Sequence, residues 1–418
     1  MTPRHLRTGL AATAAASAAV SALAAPPASA SAPPRAHSAP SAPSARPAAR
    51  GAVVSDERIE RLSRAATARR LDDLGFRGTR PRYGVDVHRV VYRTVTGRGA
   101  PTTASGLVVL PRGGPHRLRA VQYGHGTMAF RGDTGTMDPT SRDRGAAAMF
   151  AGAGFAGVAP DYLGLGLGPG RHPYMDVATE TSASVDMLRA ARTVVARGHR
   201  ALDRRVFVTG FSQGGHAAMA LGRALQGGAD RNLALAALAP VSGPYELGRA
   251  QIPDSLDGTS LDPKEVNFYF GYWLTAANRT NRFYRDPSEV FRAPYDKTIP
   301  RLFDGKHQEA EIFKGLPDGP SDMLTPRAAQ WMRHPSGALL RAVRAGDGVC
   351  EGWTPKAPVR LYTARRDRDV TTRNAALCRE SLRARGVDAP IVDLGDLDHM
   401  ASGVAAMPDV LRWFQSVR

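Results

Sequence analysis

Apolar positions come in short runs whose period changes along the chain. YGVDVHRVVYRTV (83–95) alternates apolar and polar residues, and SGLVVLP (105–111) is almost continuously apolar, so the two predict an antiparallel pair of strands. RAVQYGHG (119–126) and GFAGVAPD (154–161) read as short strands closed by Gly, Pro or Asp. TETSASVDMLRAARTVVARG (179–198) reads as a helix, and Val206, Phe207 and Val208 form another buried strand. NLALAALAPVSG, APVRLYTARRD and APIVDLGDLDH supply further strands, the last two each followed by a helix. A first helix is expected around Ser55 to Leu74. Strands alternating with helices imply an α/β fold, with a mostly parallel central sheet covered by helices on both faces.

The beginning of the chain has a different character. Residues 1–30 carry Arg4, His5 and Arg7, then an Ala-rich apolar stretch, then Ala28-Ser29-Ala30, the pattern of a signal peptide and its cleavage site. The expected location is therefore secreted. Residues 31–50 alternate Pro, Ala, Ser and Arg with almost no large apolar side chain, a leader that cannot build a core. No other segment has an apolar run long enough to span a bilayer.

Composition narrows the partners. The formal charge is +18, but the arginines lie in singles and pairs such as Arg69-Arg70 and Arg365-Arg366, not in a basic stripe interleaved with aromatics, so no nucleic-acid partner is expected. Weak attraction to anionic polymers of the cell envelope is compatible with that charge. The two cysteines, Cys350 and Cys378, flank an expected strand and have no Cys/His cluster beside them. In an exported protein such a pair predicts a disulfide, and no metal or cofactor site is expected.

The candidate chemistry lies in RRVFVTGFSQGGHAAMALGRAL (204–225). Gly210-Phe211-Ser212-Gln213-Gly214 fits G-x-S-x-G between an expected strand and an expected helix. That is the setting of a nucleophile elbow, in which flanking glycines let two backbones pass closely around an exposed serine. An ordinary helix N-cap would explain Ser212 but not both glycines. A serine nucleophile needs a base and an acid that orients the base. His399 follows the last strand at its carboxyl end, where catalytic groups of such sheets gather. His216 lies on the helix after the elbow and points away, while His125 and His172 precede the nucleophile. Asp367 closes the strand VRLYTARRD and fits the acid, with Asp369 as second choice; Asp396 and Asp398 are read as structural or solvated.

In this Ser, Asp, His order the chain resembles the α/β-hydrolase superfamily over most of residues 80–418. The D-x-x-V pattern from Asp367 to Val370 matches that family, whereas TARRDRD lacks the glycine that often precedes the acid. The resemblance also makes the backbone N–H groups of Thr127, after QYGHG, and Gln213 an oxyanion hole. APDYLGLGLGPGRHPYMD, with GHGT and a long insertion before the acid, is similar to the secreted lipase and esterase branch related to fungal lipase A. Gly164, Gly166 and Gly168 lack P-loop spacing and lysine, so this stretch is expected beside the active site, with His172 and Tyr174 as packing residues.

Residues 51–243 and 347–418 are thus expected to form the two parts of the core, and 244–346 a helical cap or lid. VNFYFGYWLTAANRT brings Phe268, Tyr269, Phe270, Tyr272, Trp273 and Leu274, which are expected mainly to fill the cap's own core. A cap lined partly by them would favour hydrophobic acyl groups. The function expected is a secreted esterase or lipase acting on a small-molecule or lipid ester, with transient contact at a lipid interface. An exported peptidase of the same fold is the alternative within enzymes, and a catalytically silent extracellular binding module is the alternative outside them. The peptidase is disfavoured because YGHGTM stands where amino-terminal peptidases carry Gly-Gly-Pro-Gly.

Overall fold

The computed structural model describes residues 49–258 and 260–417. The signal-peptide reading of 1–30 and all of the expected leader except Ala49 and Arg50 lie outside the described residues. Among the described residues no helix is long and apolar enough to cross a membrane.

A nine-stranded sheet runs in the order β1-β2-β3-β5-β4-β6-β7-β8-β9. Its strands are β1 (Val53–Leu62), β2 (Gly84–Val95), β3 (Pro101–Arg112), β4 (Arg117–Gly124), β5 (Ala156–Pro160), β6 (Ala201–Phe211), β7 (Ala234–Val241), β8 (Leu361–Thr363) and β9 (Ile391–Asp393). From β5 through β9 neighbours are parallel, while β1, β2 and β3 add an antiparallel flank.

The first expected helix is corrected: its first half is strand β1, and only α1 (Arg64–Asp73) is helical. The charges that look like a solvated helix face instead pair across to β2, Arg61 with Asp86 at 2.7 Å and Glu57 with Arg89 at 2.6 Å. Ser63 then starts α1 by accepting a hydrogen bond from the Ala66 N–H. Cross-strand pairing at a sheet edge overrides local preference here.

Helices cover both faces. On one side α3 (Val177–Arg197), α4 (Gln213–Gln226) and α12 (Arg373–Arg383) pack through Val185, Leu188, Met219, Leu221 and Leu382. On the other, α2 (Arg142–Gly152) and α13 (His399–Ser416) bury Ala147, Phe150, Met407 and Phe414 against Val121 and Phe207. Small residues dominate the buried face of α2, which lets that helix lie close to the strands.

Between β7 and β8 the chain leaves the sheet. It forms a π-helical turn (Leu247–Gln251), then α5 (Ile252–Asp257), α6 (Pro263–Asn281), α7 (Tyr295–Leu302), α8 (Glu309–Gly315), α9 (Pro320–Met323), α10 (Pro326–Arg333) and α11 (Gly337–Asp347). These helices share a hydrophobic cluster that includes Phe268, Phe270, Trp273, Phe303, Met323 and Leu339 and takes in Ala129, Tyr174 and Met175 from outside the insertion. Tyr272 is sandwiched between Tyr174 at 4.3 Å and Phe303 at 4.7 Å, both nearly parallel to it. Cys350, after α11, is bonded to Cys378 on α12. Closing that loop stabilises the fold by roughly 3–4 kcal/mol in the chain-entropy account.

Candidate active site

Ser212 sits where β6 turns into α4, at φ 54° and ψ −119°. A serine in the left-handed half of backbone space is strained and must be held from outside. Its N–H donates to the Val241 carbonyl at 2.9 Å, and the glycines on either side do the rest. A β-carbon on Gly210 would lie 2.2 Å from the Gly214 carbonyl oxygen, and one on Gly214 would lie 2.0 Å from that of Gly124. Three backbones therefore meet at van der Waals distance, and only glycine fits. The hydroxyl makes no capping bond to α4. It donates instead to His399 Nε2 at 2.9 Å.

His399 is the first residue of α13, whose N-cap is Asp398, accepting from the Ala401 N–H. Its Nδ1–H donates to Asp367 Oδ2 at 2.7 Å. Asp367 stands four residues past β8, which ends earlier than its apolar pattern suggests, because Ala364 to Asp367 turn across the carboxyl end of the sheet. The N–H groups of Asp369 and Val370 donate to Asp367 Oδ1 at 3.0 and 2.8 Å, fixing the carboxylate's direction. Burial pulls the His399 imidazole down, but the charge and hydrogen bond of Asp367, with Asp369 and Glu265 beyond, raise its pKa above the usual range.

The structure brings together Ser212, His399 and Asp367, residues separated by up to 187 positions in sequence. Asp369 takes no part in that chain: it accepts from the Tyr269 hydroxyl at 2.7 Å, and burial raises its pKa. Asp396 is exposed, in an ion pair with Arg365. His216 is buried with Nε2 3.1 Å from the Gly346 carbonyl, away from the serine hydroxyl.

Thr127 borders the space at Ser212, and Gln213 follows Ser212 as the first residue of α4. Among the described residues neither backbone N–H donates within the chain, which leaves both free for an incoming oxygen. The Thr127 hydroxyl shares a hydrogen bond with the Tyr174 hydroxyl at 2.9 Å. Below the turn, the Gln213 side-chain amide donates to Glu180 Oε1 at 2.8 Å and to His172 Nε2 at 2.9 Å. His172 donates through Nδ1 to the Leu163 carbonyl at 2.9 Å, and burial pushes its pKa down to about 3, so it stays neutral. Glu180, wholly buried, was hidden in the sequence: it reads there as a polar position on a helix. Ser105 and Thr136 both donate to Asp161 Oδ2 at 2.5 Å, pinning the Gly-rich loop beside the site. Among the described residues no cluster of His, Cys, Asp or Glu could hold a metal ion.

No family model and no curated protein matches the sequence. Among solved structures, the chain is similar to the rice cell wall degrading esterase LipA from Xanthomonas oryzae, with TM-score 0.79 and 26% identity over 88% of this chain and 100% of that one. A ligand-bound form of that esterase gives TM-score 0.77 and 26% identity over 88% and 98% of the two chains. Candida antarctica lipase A in its closed state gives TM-score 0.61 and 15% identity over 88% and 82%. The chain has the α/β-hydrolase fold. It resembles a solved esterase and, in fold alone, a solved lipase.

Proposed function

We propose that this protein is an exported serine hydrolase that cleaves carboxylic esters through an acyl-enzyme intermediate. The observation that carries the reading is the chain from Ser212 Oγ to His399 Nε2 at 2.9 Å and from His399 Nδ1 to Asp367 at 2.7 Å, mounted on a strained turn. Ser212 attacks the ester carbonyl while His399 takes its proton, and Asp367 holds the imidazole in the tautomer that can accept it. The oxygen that becomes negative lies between the N–H groups of Thr127 and Gln213, which stabilise it by several kcal/mol. His399 returns the proton to the leaving alcohol, and a water activated by His399 then releases the acid.

The esterase and lipase likeness favours an ester over an amide substrate. The charged start and Ala-rich run of 1–30, together with the Cys350–Cys378 bond, support export. The experiment is labelling with a fluorophosphonate, followed by peptide mass mapping and turnover of p-nitrophenyl esters beside aminoacyl-anilides. An adduct on Ser212 and ester turnover are expected, both lost in Ser212→Ala by several orders of magnitude. Wild-type-like turnover in Ser212→Ala overturns the assignment, and anilides outrunning esters would make the enzyme a peptidase.

A further inference from the structure

Two cavities meet at Ser212. One, of about 50 Å³, is walled by Tyr174, Leu247, Ile252, Phe270, Trp273 and Val370. The other, of about 120 Å³, is bounded by Phe76, Thr127, Phe211, His399, Met400 and Val404. Among the described residues, Tyr269 is the one besides Ser212 that lines both. Its ring stands between them, and its position is not left to packing alone. The hydroxyl donates to Asp369 Oδ2 at 2.7 Å. Asp369 in turn donates its N–H to Asp367 at 3.0 Å and accepts at its carbonyl from the Gln251 side chain at 2.8 Å. The ring is thus tied from the cap helix α6 to the loop that holds the acid.

We propose that Tyr269 is a specificity-determining wall that separates the acyl site from the alcohol site and limits the enzyme to esters of short apolar acids. This rests on the serine-esterase reading above. The two sites are told apart by proton transfer: His399 must reach the oxygen of the departing alcohol, so the alcohol occupies the cavity that His399 lines. The acyl chain then turns into the other cavity, which touches Ser212 but not His399. An apolar cavity of about 150 Å³ holds a benzene ring. The space on the acyl side, about 50 Å³, is about a third of that. Apart from Tyr174, Ser212, Gln251, Ser255, Tyr269 and Asp369 its lining is apolar, which favours hydrocarbon over charged acyl groups. Tyr269 bars a longer chain from spreading into the second cavity, and each methylene that does not fit costs about tenfold or more in kcat/KM.

The test is a p-nitrophenyl ester series from acetate to decanoate, with the alcohol held constant, on wild type, Tyr269→Ala, Tyr269→Leu and Tyr269→Phe. Wild type should peak between two and four carbons and fall at least about tenfold by octanoate. In Tyr269→Ala the octanoate-to-butyrate ratio should rise at least about tenfold, and in Tyr269→Leu by a smaller factor in the same direction. Tyr269→Phe keeps the ring but loses its tie to Asp369, and should move the ratio less than Tyr269→Leu does. If Ala unfolds the cap, Leu carries the comparison. A ratio unchanged in Ala and Leu overturns the wall, as does a Phe variant whose ratio moves as far as Ala's. A wild type that peaks at octanoate or longer overturns the short-acyl limit. Absence of fluorophosphonate labelling and ester turnover in wild type would defeat the hydrolase reading itself, before any variant is compared.

Discussion

The turn carrying Ser212 and the helix carrying Tyr269 face the same space and are built by opposite means. At the turn, backbone packs on backbone: Gly210, Gly214 and Gly124 close on one another, and the strained serine is held by an N–H to Val241. In α6 the contacts belong to side chains, with Phe268 stacked on Phe313 at 5.0 Å and Tyr272 wedged between two rings. A backbone-coded site has almost no tolerance, since any β-carbon collides with a carbonyl that cannot move alone. A side-chain-coded wall can be recut one ring at a time, at a cost in packing energy that the remaining core absorbs. On the proposed reading, reactivity is stored in the rigid part of the molecule and selectivity in the adjustable part.

The comparison breaks most decisively at the acid. Asp367→Asn should lower kcat by about ten-thousandfold, because the imidazole is then held in the wrong tautomer. Asp369→Asn, whose side chain is hydrogen-bonded to Tyr269 and not to His399, should cost less than about tenfold. Steady-state rates on one short ester decide it, and the reverse ranking would move the acid to Asp369. Next comes the turn itself. Gly214→Ala puts a β-carbon 2.0 Å from the Gly124 oxygen and should destabilise the protein by more than about 4 kcal/mol or prevent folding, as read by thermal denaturation. A Gly214→Ala variant with a wild-type melting temperature would show that the turn has slack.

Phe268→Ala, in the cap core, should cost about 3–5 kcal/mol in denaturant unfolding, while Ser212 is still labelled by a small fluorophosphonate at low temperature. Loss of labelling in a folded variant would mean that cap and turn are not separable. The smallest effect is on pH dependence. His399 must be neutral to act as base, and its pKa lies above the usual imidazole range, so kcat/KM should fall as pH drops through a value above about 6.5. The groups that raise it are Asp367, Asp369 and Glu265, the last pushed up to about 7 by burial and by Asp369. Asp369→Asn removes one charge and should move the acid limb down by less than about one pH unit. An upward move would contradict the charge account.

Much of this protein is local enough to be written in short stretches of sequence. The run from Val206 through Gly214 to Leu221 specifies strand, turn and helix within a few residues, and the apolar runs of β2 to β7 specify a mostly parallel sheet. Asp367 and His399 could be placed because each follows a strand, and the carboxyl ends of parallel strands converge at one edge. The strand at Val53–Leu62 could not, because its charges find partners only when β2 lies beside it. Nor could the bond from Tyr269 to Asp369, the burial of Glu180 beneath the turn, or the division of the site into two cavities. A period or a motif is a property of neighbouring residues, so the chain states it alone. Which side chain meets which across 100 positions depends on how the cap settles on the sheet. Packing and desolvation, which decide that, exist only once the chain has folded.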